Sequence, residues 1–199
     1  LIRLRHIRPR LLPAALGLRS ENAAHRIAVE WEQDGDVREG VYIPRRDTDS
    51  CLNTVAGGRV FPGVHHRARF DVRETPQRFE IHMRSRDEET WLDVLAHATN
   101  ALPDTSVFDS VQTASAFFEA GSLGYSATEA GQKFDGIELR CRNWHVEPLS
   151  VEHVASSFFS ARTRFDENEV IFDHALLMRG IEHEWHAREP LYCGDAALV

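Results

Sequence analysis

Short segments in which apolar and polar residues alternate recur along the chain, and this pattern constrains the fold more than any other feature. Residues 26–31 alternate and lead into a turn sequence at residues 33–36, after which residues 40–43 resume the pattern. The turn contains Asp34-Gly35, and such a pair tolerates the positive φ angles of a tight hairpin. The alternation predicts further strands at residues 67–73, 79–84, 125–128, 137–141, 144–148 and 170–177.

Helical patterns are fewer. The clearest covers residues 110–119, where apolar residues recur with the period of a helix, Asp109 can cap the exposed amides and Gly121 can end the helix in a left-handed conformation. Shorter helices are predicted at residues 50–56 and 150–158, whereas residues 91–98 fit either a helix or a strand.

The balance of these elements predicts a mostly β (α+β) protein. A chain of 199 residues fits one domain, spanning residues 1–199. Short strands with a few short helices on the outside are typical of an antiparallel β-barrel or a strongly bent sheet. Because a sheet of this kind forms a cavity at its mouth or centre, a small-molecule ligand is the expected partner.

Charge and cysteine content exclude several other classes. The net charge of −8 argues against a nucleic acid partner, which requires a basic surface. No run approaches the roughly 20 apolar residues of a membrane span, and no signal peptide opens the chain, so we expect a cytoplasmic protein without a membrane partner. Cys51, Cys141 and Cys193 are widely separated and form no CxxC pair, so neither a disulfide framework nor a cysteine metal site is expected, and no cofactor is predicted.

Residues 56–67 carry a resemblance to a known family. They read Ala-Gly-Gly-Arg-Val-Phe-Pro-Gly-Val-His-His-Arg and resemble the acetoacetate decarboxylase segment in which Gly-Arg is followed, after four variable residues, by Tyr-Pro-Lys-Lys. The chain is also similar to the uncharacterised YqjF-like family, which groups with these decarboxylases. That similarity comes from residues 40–43, 47–50 and 120–126 together with the Gly-Arg segment. The resemblance implies an acetoacetate decarboxylase-like fold.

The same alignment changes the expected chemistry. It places His66 at the position of the Schiff-base lysine and Arg67 at that of the neighbouring lysine, which depresses the pKa of the first. Histidine cannot form the iminium that accepts electrons in the decarboxylases, although it can move protons near pH 7. Lys133 is the only lysine, and it stands in a turn sequence where we expect an exposed side chain. A Schiff-base decarboxylase is therefore not expected.

The candidate site combines the resemblance with residue chemistry. We predict His66 and Glu30 as catalytic residues; Glu30 lies on a strand similar to the family strand that carries an active-site glutamate, and Glu32 is its alternative. The predicted substrate-binding residues are Arg59, His65, Arg67, Trp31 and Phe61. Such a site would suit non-covalent proton transfer on a carboxylate- or carbonyl-bearing metabolite, with Glu30 or His66 as the base and Arg59 stabilising the oxyanion. On an extended backbone the adjacent histidines point to opposite faces, so only one of them can enter a cavity.

Other functions stay open. The protein could be a non-catalytic carrier or sensor of an apolar or aromatic ligand, so whether it is an enzyme is undecided. His183 and His186 would share one side of a helix and could bind metal in a lyase or hydrolase, but in a strand they would face opposite ways. The pair Asp173-His174 resembles an Asp-His pair in the decarboxylases, which favours a structural role. Because members of this superfamily commonly self-associate, a homo-oligomer is a further expectation.

Overall fold

The computed structural model describes residues 1–8, 13, 15, 17–33, 35–56, 63–128, 131–166 and 169–192. Within these residues the protein is mostly β, as predicted. The elements in chain order are β1 (Ile2–Ile7), β2 (Leu18–Gln33), β3 (Asp36–Thr48), α1 (Cys51–Ala56), β4 (His65–Glu74), β5 (Arg78–Ser85), β6 (Trp91–Ala98), α2 (Val111–Ala120), β7 (Leu123–Ala127), β8 (Lys133–Cys141), β9 (Glu147–Ser156), β10 (Ala175–Leu177) and β11 (His183–Tyr192).

The chain forms two compact units. The first contains Leu1–Arg69, Leu123–Glu138 and the segment that begins at His186, and the second contains Phe70–Ser122 and Leu139–Trp185. The chain passes between the units more than once. This division does not test whether residues 1–199 form the single expected domain, which stays a prediction.

The first unit is built around the long hairpin of β2 and β3. The strands pair from Asn22↔Thr48 to Gln33↔Asp36, and Gly35 takes the positive φ of 83° that the turn sequence predicts. The register shifts near Arg26, where Pro44 lies on the partner strand. Proline cannot donate to a ladder hydrogen bond, so an irregularity of this kind is where a strand tolerates it.

The strands that pair with this hairpin differ from those of the predicted antiparallel barrel. β1 pairs with β2 and β7 pairs with β8, both antiparallel, but β3 pairs in parallel with both β4 and β7. In the described part of this unit the outermost strands β1 and β11 do not pair with each other. The sheet is therefore mixed and open, whereas an antiparallel barrel or a strongly bent antiparallel sheet was expected. Parallel pairs join segments that are distant in sequence, and alternation alone does not reveal them.

The second unit has an antiparallel sheet formed by β5, β6, β9 and β10. Its apolar core contains Phe79, Ala96 and Leu149. Residues 91–98 form a strand, which resolves one ambiguity. The helix predicted at residues 150–158 is wrong, because most of this segment belongs to β9 and pairs with β6 from Leu92↔Ser156 to Ala98↔Leu149.

Both remaining helix predictions are confirmed, with differences at the ends of α2. Its N-cap is Ser110, whose hydroxyl accepts a hydrogen bond from the Thr113 amide at 3.1 Å, and not Asp109. Gly121 follows the helix with φ −75°, so it is not left-handed. The helical recurrence of apolar residues predicts that Val111, Ala114, Phe117 and Phe118 face inward, which is wrong in part, because Phe117 and Phe118 are 51% and 45% exposed.

Candidate functional site

The two adjacent histidines lie on opposite faces of the sheet in the first unit, as the alternation of a strand requires. His65 is the cross-strand partner of Arg46, and His66 is the partner of Asp47. Cross-strand partners project to the same face of a sheet. β3 therefore separates two polar clusters, one for each histidine.

The cluster around His65 holds its polar groups in fixed orientations. Arg46 donates to Ser126 Oγ from Nε at 3.2 Å and from Nη2 at 3.0 Å. His65 Nδ1 lies 3.2 Å from the carbonyl oxygen of Gly63. A carbonyl oxygen can only accept, so the proton of the neutral ring is on Nδ1 and the lone pair is on Nε2. Burial, with the charge of Arg46, lowers the pKa of His65 to about 4, so the ring is neutral at pH 7.

Arg26 adds a second positive charge to this face. It lies two residues from Ala24, the cross-strand partner of Arg46, so the two arginines share a face of the hairpin. Burial, with repulsion from Arg26, lowers the pKa of Arg46 to about 10, and burial also lowers the pKa of Arg26. The residue as a whole is nevertheless exposed, so a ligand can reach Arg26 from solvent. Among the described residues, no carboxylate lies within ion-pair distance of either guanidinium.

The cluster around His66 is organised differently, because its charges are already paired. Arg45 donates to Asp47 from Nε at 3.1 and 3.2 Å and from Nη2 at 3.0 Å. Their side chains are 4% and 0% exposed. His25, also buried, is the cross-strand partner of Arg45. This side of the hairpin therefore contains a buried, compensated ion pair, which does not call for an anionic ligand.

The structure does not bring Glu30 to either histidine. Asp47, the partner of His66, pairs with Ala23 of β2, and Glu30 lies seven residues further along that strand. At about 3.3 Å per residue this is about 23 Å along β2. Glu30 is exposed opposite Glu39, and the alternative Glu32 is exposed as well. The predicted Arg–Glu–His trio is not assembled by the described residues.

The predicted substrate-binding residues occupy several places. Trp31 packs edge-to-face on Tyr125, with ring centroids 5.4 Å apart. Arg67 donates a hydrogen bond to the main-chain carbonyl of Asp49. Arg59 and Phe61 lie outside the described residues. Among the described residues of the predicted set, His65 is the cross-strand partner of Arg46, and Arg67, the partner of Thr48, projects to the same face two residues further along β4.

Sequence reasoning missed Arg46, Arg26 and Ser126. The signal for Arg46 was its position in the polar run Arg45-Arg46-Asp47, where alternation predicts that neighbouring residues face opposite ways. The role of Ser126 depends on the parallel pairing of β3 with β7, for which the sequence carries no local signal.

Imine and metal chemistry receive no support from the remaining candidates. Lys133 begins β8, and its Nζ lies 2.8 Å from Asp135 Oδ1, which raises the pKa of the amine. A lysine that stays protonated is not a nucleophile. His183 and His186 lie on β11, where residues three apart face opposite ways. The described residues contain no group of three or more potential ligands arranged to hold a metal ion.

An open groove of about 280 Å³ lies in the second unit, beside α2. It is lined by Val111, Gln112, Ser115, Ala116, Glu119, Trp144, His145 and Val146. Trp144 Nε1 donates to Ser115 Oγ at 2.8 Å, so one polar group of the groove is already bonded. None of the predicted site residues lines this groove, and Glu119 would repel a carboxylate.

No helix in the described part of the chain is long and apolar enough to cross a membrane. No protein-family model matches the sequence, and neither the curated proteins nor the solved structures contain a match to this chain. The functional conclusion therefore depends on the side-chain geometry of the two faces of β3.

Proposed function

We propose that the protein binds a small molecule bearing a carboxylate on the face of the first unit formed by Arg26, Arg46 and His65, and that it does so without imine chemistry. The observation that carries the proposal is the pair of arginines on one face with lowered pKa values and no described carboxylate partner. Two like charges near each other are unfavourable, and an anionic ligand would offset both their repulsion and their desolvation.

The surrounding hydrogen bonds support recognition of a carboxylate. Ser126 Oγ accepts two bonds from Arg46 and so orients its guanidinium, and no other side chain in the described part of the chain accepts from the remaining N–H groups. A planar guanidinium matches the two oxygens of a carboxylate, which makes arginine well suited to this group. His65 would accept a hydrogen bond at Nε2 from a hydroxyl of the ligand, or take up a proton next to the bound charge. In non-covalent acid/base chemistry at a carbonyl, the proton that His65 takes up at Nε2 would come from the ligand and could be returned to it.

We also propose that the chain has an acetoacetate decarboxylase-like fold and belongs with the YqjF-like family. The support is the Gly-Arg segment that ends in His65-His66-Arg67, the mostly β structure and the position of these three residues at the start of β4. Membership would place a ligand site close to this segment. Cytoplasmic location and self-association are parts of the same proposal.

Isothermal titration calorimetry with acetoacetate and benzoate, each compared with its neutral amide, tests the binding. We expect at least one carboxylate to bind and its amide to bind far more weakly. Arg46→Gln should weaken carboxylate binding by about 10- to 100-fold, the size expected for hydrogen bonds to a charged group. Arg38→Gln is the matched control, because Arg38 is exposed on the same strand, and it should leave binding unchanged.

Three results would contradict the proposal. One is equal affinity of a carboxylate and its amide, and another is unchanged binding by Arg46→Gln. The third is failure of both carboxylates to bind together with native mass spectra that show no co-purified acid. Borohydride-dependent labelling of Lys133 by acetoacetate would contradict the non-covalent mode in particular.

A further inference from the structure

Asp173 and His174, in the segment before β10, form a hydrogen-bonded pair in the second unit. His174 Nδ1 donates to Asp173 Oδ2. The carboxylate also accepts from Ser106 Oγ at Oδ2 and from the Val107 amide at Oδ1, each at 2.8 Å. The bond from His174, followed by those from Ser106 and Val107, lowers the pKa of Asp173. The carboxylate is therefore ionised, and its three donors fix its orientation.

This arrangement determines which tautomer the neutral imidazole adopts. With Nδ1 donating to an ionised carboxylate, the neutral ring of His174 has its lone pair on Nε2. The side chain is 5% exposed, and the ring lies edge-to-face with Phe108 and Phe118 at centroid distances of 5.3 and 5.7 Å. Nε2 is buried and finds no hydrogen-bond partner in the described part of the chain. A buried acceptor without a partner costs about 1–3 kcal/mol of stability, so its retention calls for an explanation.

We propose that His174 Nε2 is the hydrogen-bond acceptor of a binding site for a small neutral aromatic molecule with a hydroxyl group, the phenol class. The aromatic ring of the ligand would pack on Phe108, Phe117 and Phe118, whose rings lie 5.3 to 6.2 Å apart. Its hydroxyl would donate to Nε2. This site lies outside the proposed carboxylate site and uses none of its residues.

The surroundings select a neutral donor over a charged one. The negative charge of Asp173 repels an anion, and its oxygens are already occupied by three donors, which leaves little to attract an ammonium group into an apolar site.

Phe117 and Phe118 expose about half of their side chains to solvent. Exposed side chains change rotamer readily, so they can open a path to Nε2, and a bound aromatic ring would cover apolar surface that is now in contact with water.

The test is a nuclear magnetic resonance titration of the wild-type protein, labelled with ¹⁵N in its histidine rings, with 4-methylphenol. 4-Methylanisole is the matched ligand, because its methyl ether cannot donate. We expect 4-methylphenol to shift the Nε2 resonance of His174 and to bind about 2- to 10-fold more tightly than 4-methylanisole, the equivalent of one neutral hydrogen bond. Asp173→Asn should place the ring proton on Nε2 and remove this preference. His153→Gln, at an exposed histidine of the same unit, should retain it.

The free protein provides a check that needs no variant, since ring ¹⁵N shifts report the tautomer directly. A proton on Nε2 of unliganded wild-type protein would overturn the proposal, because the nitrogen would then be a donor toward the phenylalanine rings. So would equal affinity for the two ligands, no response to millimolar 4-methylphenol, or tighter binding of 4-methylbenzylamine than of 4-methylphenol. Arg46→Gln should leave the titration unchanged, which separates this site from the carboxylate site.

Discussion

Gly63 shows how much a single residue contributes to the geometry around His65. It precedes β4 with φ +87°, and a Cβ atom at this position would lie 2.6 Å from Ser126 Cβ. We expect Gly63→Ala to lower the free energy of unfolding by roughly 3 kcal/mol, because the left-handed conformation and the clash both oppose it. It should also weaken carboxylate binding, since Ser126 orients Arg46. Urea denaturation and calorimetry measure the two effects.

Gly35 is the matched control for this substitution. It has φ +83°, but apart from its chain neighbours a Cβ added there would meet no atom of the described residues within 4 Å. Gly35→Ala should therefore cost only the conformational part, roughly 1–2 kcal/mol, and leave binding intact. If both variants lost the same free energy of unfolding, the clash with Ser126 would not contribute to the cost of Gly63→Ala, and the prediction would be wrong.

The lowered pKa of His65 predicts how the stability of the protein depends on pH. Its pKa of about 4 in the folded protein lies below the 6.5 of an unperturbed histidine, so between these values the unfolded state binds more protons. The stability that the neutral ring contributes is therefore fully present above pH 6.5 and is lost as the pH falls towards 4. From pH 7 to pH 5 the loss from this group should be about 2 kcal/mol. Urea denaturation at the two pH values measures it.

The variant His65→Gln isolates this contribution from the carboxyl groups, which also titrate in acid. Its loss of stability between pH 7 and pH 5 should be smaller than that of the wild type by about the same 2 kcal/mol. His153→Gln, at an exposed position, should behave like the wild type. An identical pH dependence in His65→Gln and the wild type would show that burial of His65 does not depress its pKa.

At the scale of elements, sequence patterns predicted a helix or strand correctly where the residues that stabilise it are close in sequence. The β2–β3 hairpin and α2 were predictable because turn, capping and periodicity all act within a few residues. β9 was not, since Val151 and Val154 have the three-residue spacing that is typical of a helix. Only pairing with β6, more than 50 residues away, makes the segment extended.

The candidate site was predictable to the same extent. Adjacent His65 and His66 were expected on opposite faces, and they are. Which of them meets a cation depends on the parallel register that places Arg46 beside His65, and this register is a long-range property. Glu30 was assigned through the resemblance, whereas the length of β2 carries it about 23 Å along the strand from the partner of Asp47.

At the scale of the whole molecule, the path of the chain bears on cooperativity. Three strands, β4, β8 and β11, begin in one compact unit and end in the other. Loss of either unit would therefore remove part of the ladder in which each of these strands takes part. We expect one cooperative unfolding transition, as a single domain over residues 1–199 requires.

Tryptophan fluorescence can test this because the indoles are divided between the units. Trp31 lies in the first unit, and Trp91, Trp144 and Trp185 lie in the second. In Trp31→Phe the fluorescence reports the second unit alone, whereas far-ultraviolet circular dichroism reports the strands of both. The two signals should give the same urea midpoint and the same m-value. Separate midpoints would mean that the compact units unfold independently, and a site confined to the first unit would then survive loss of the second.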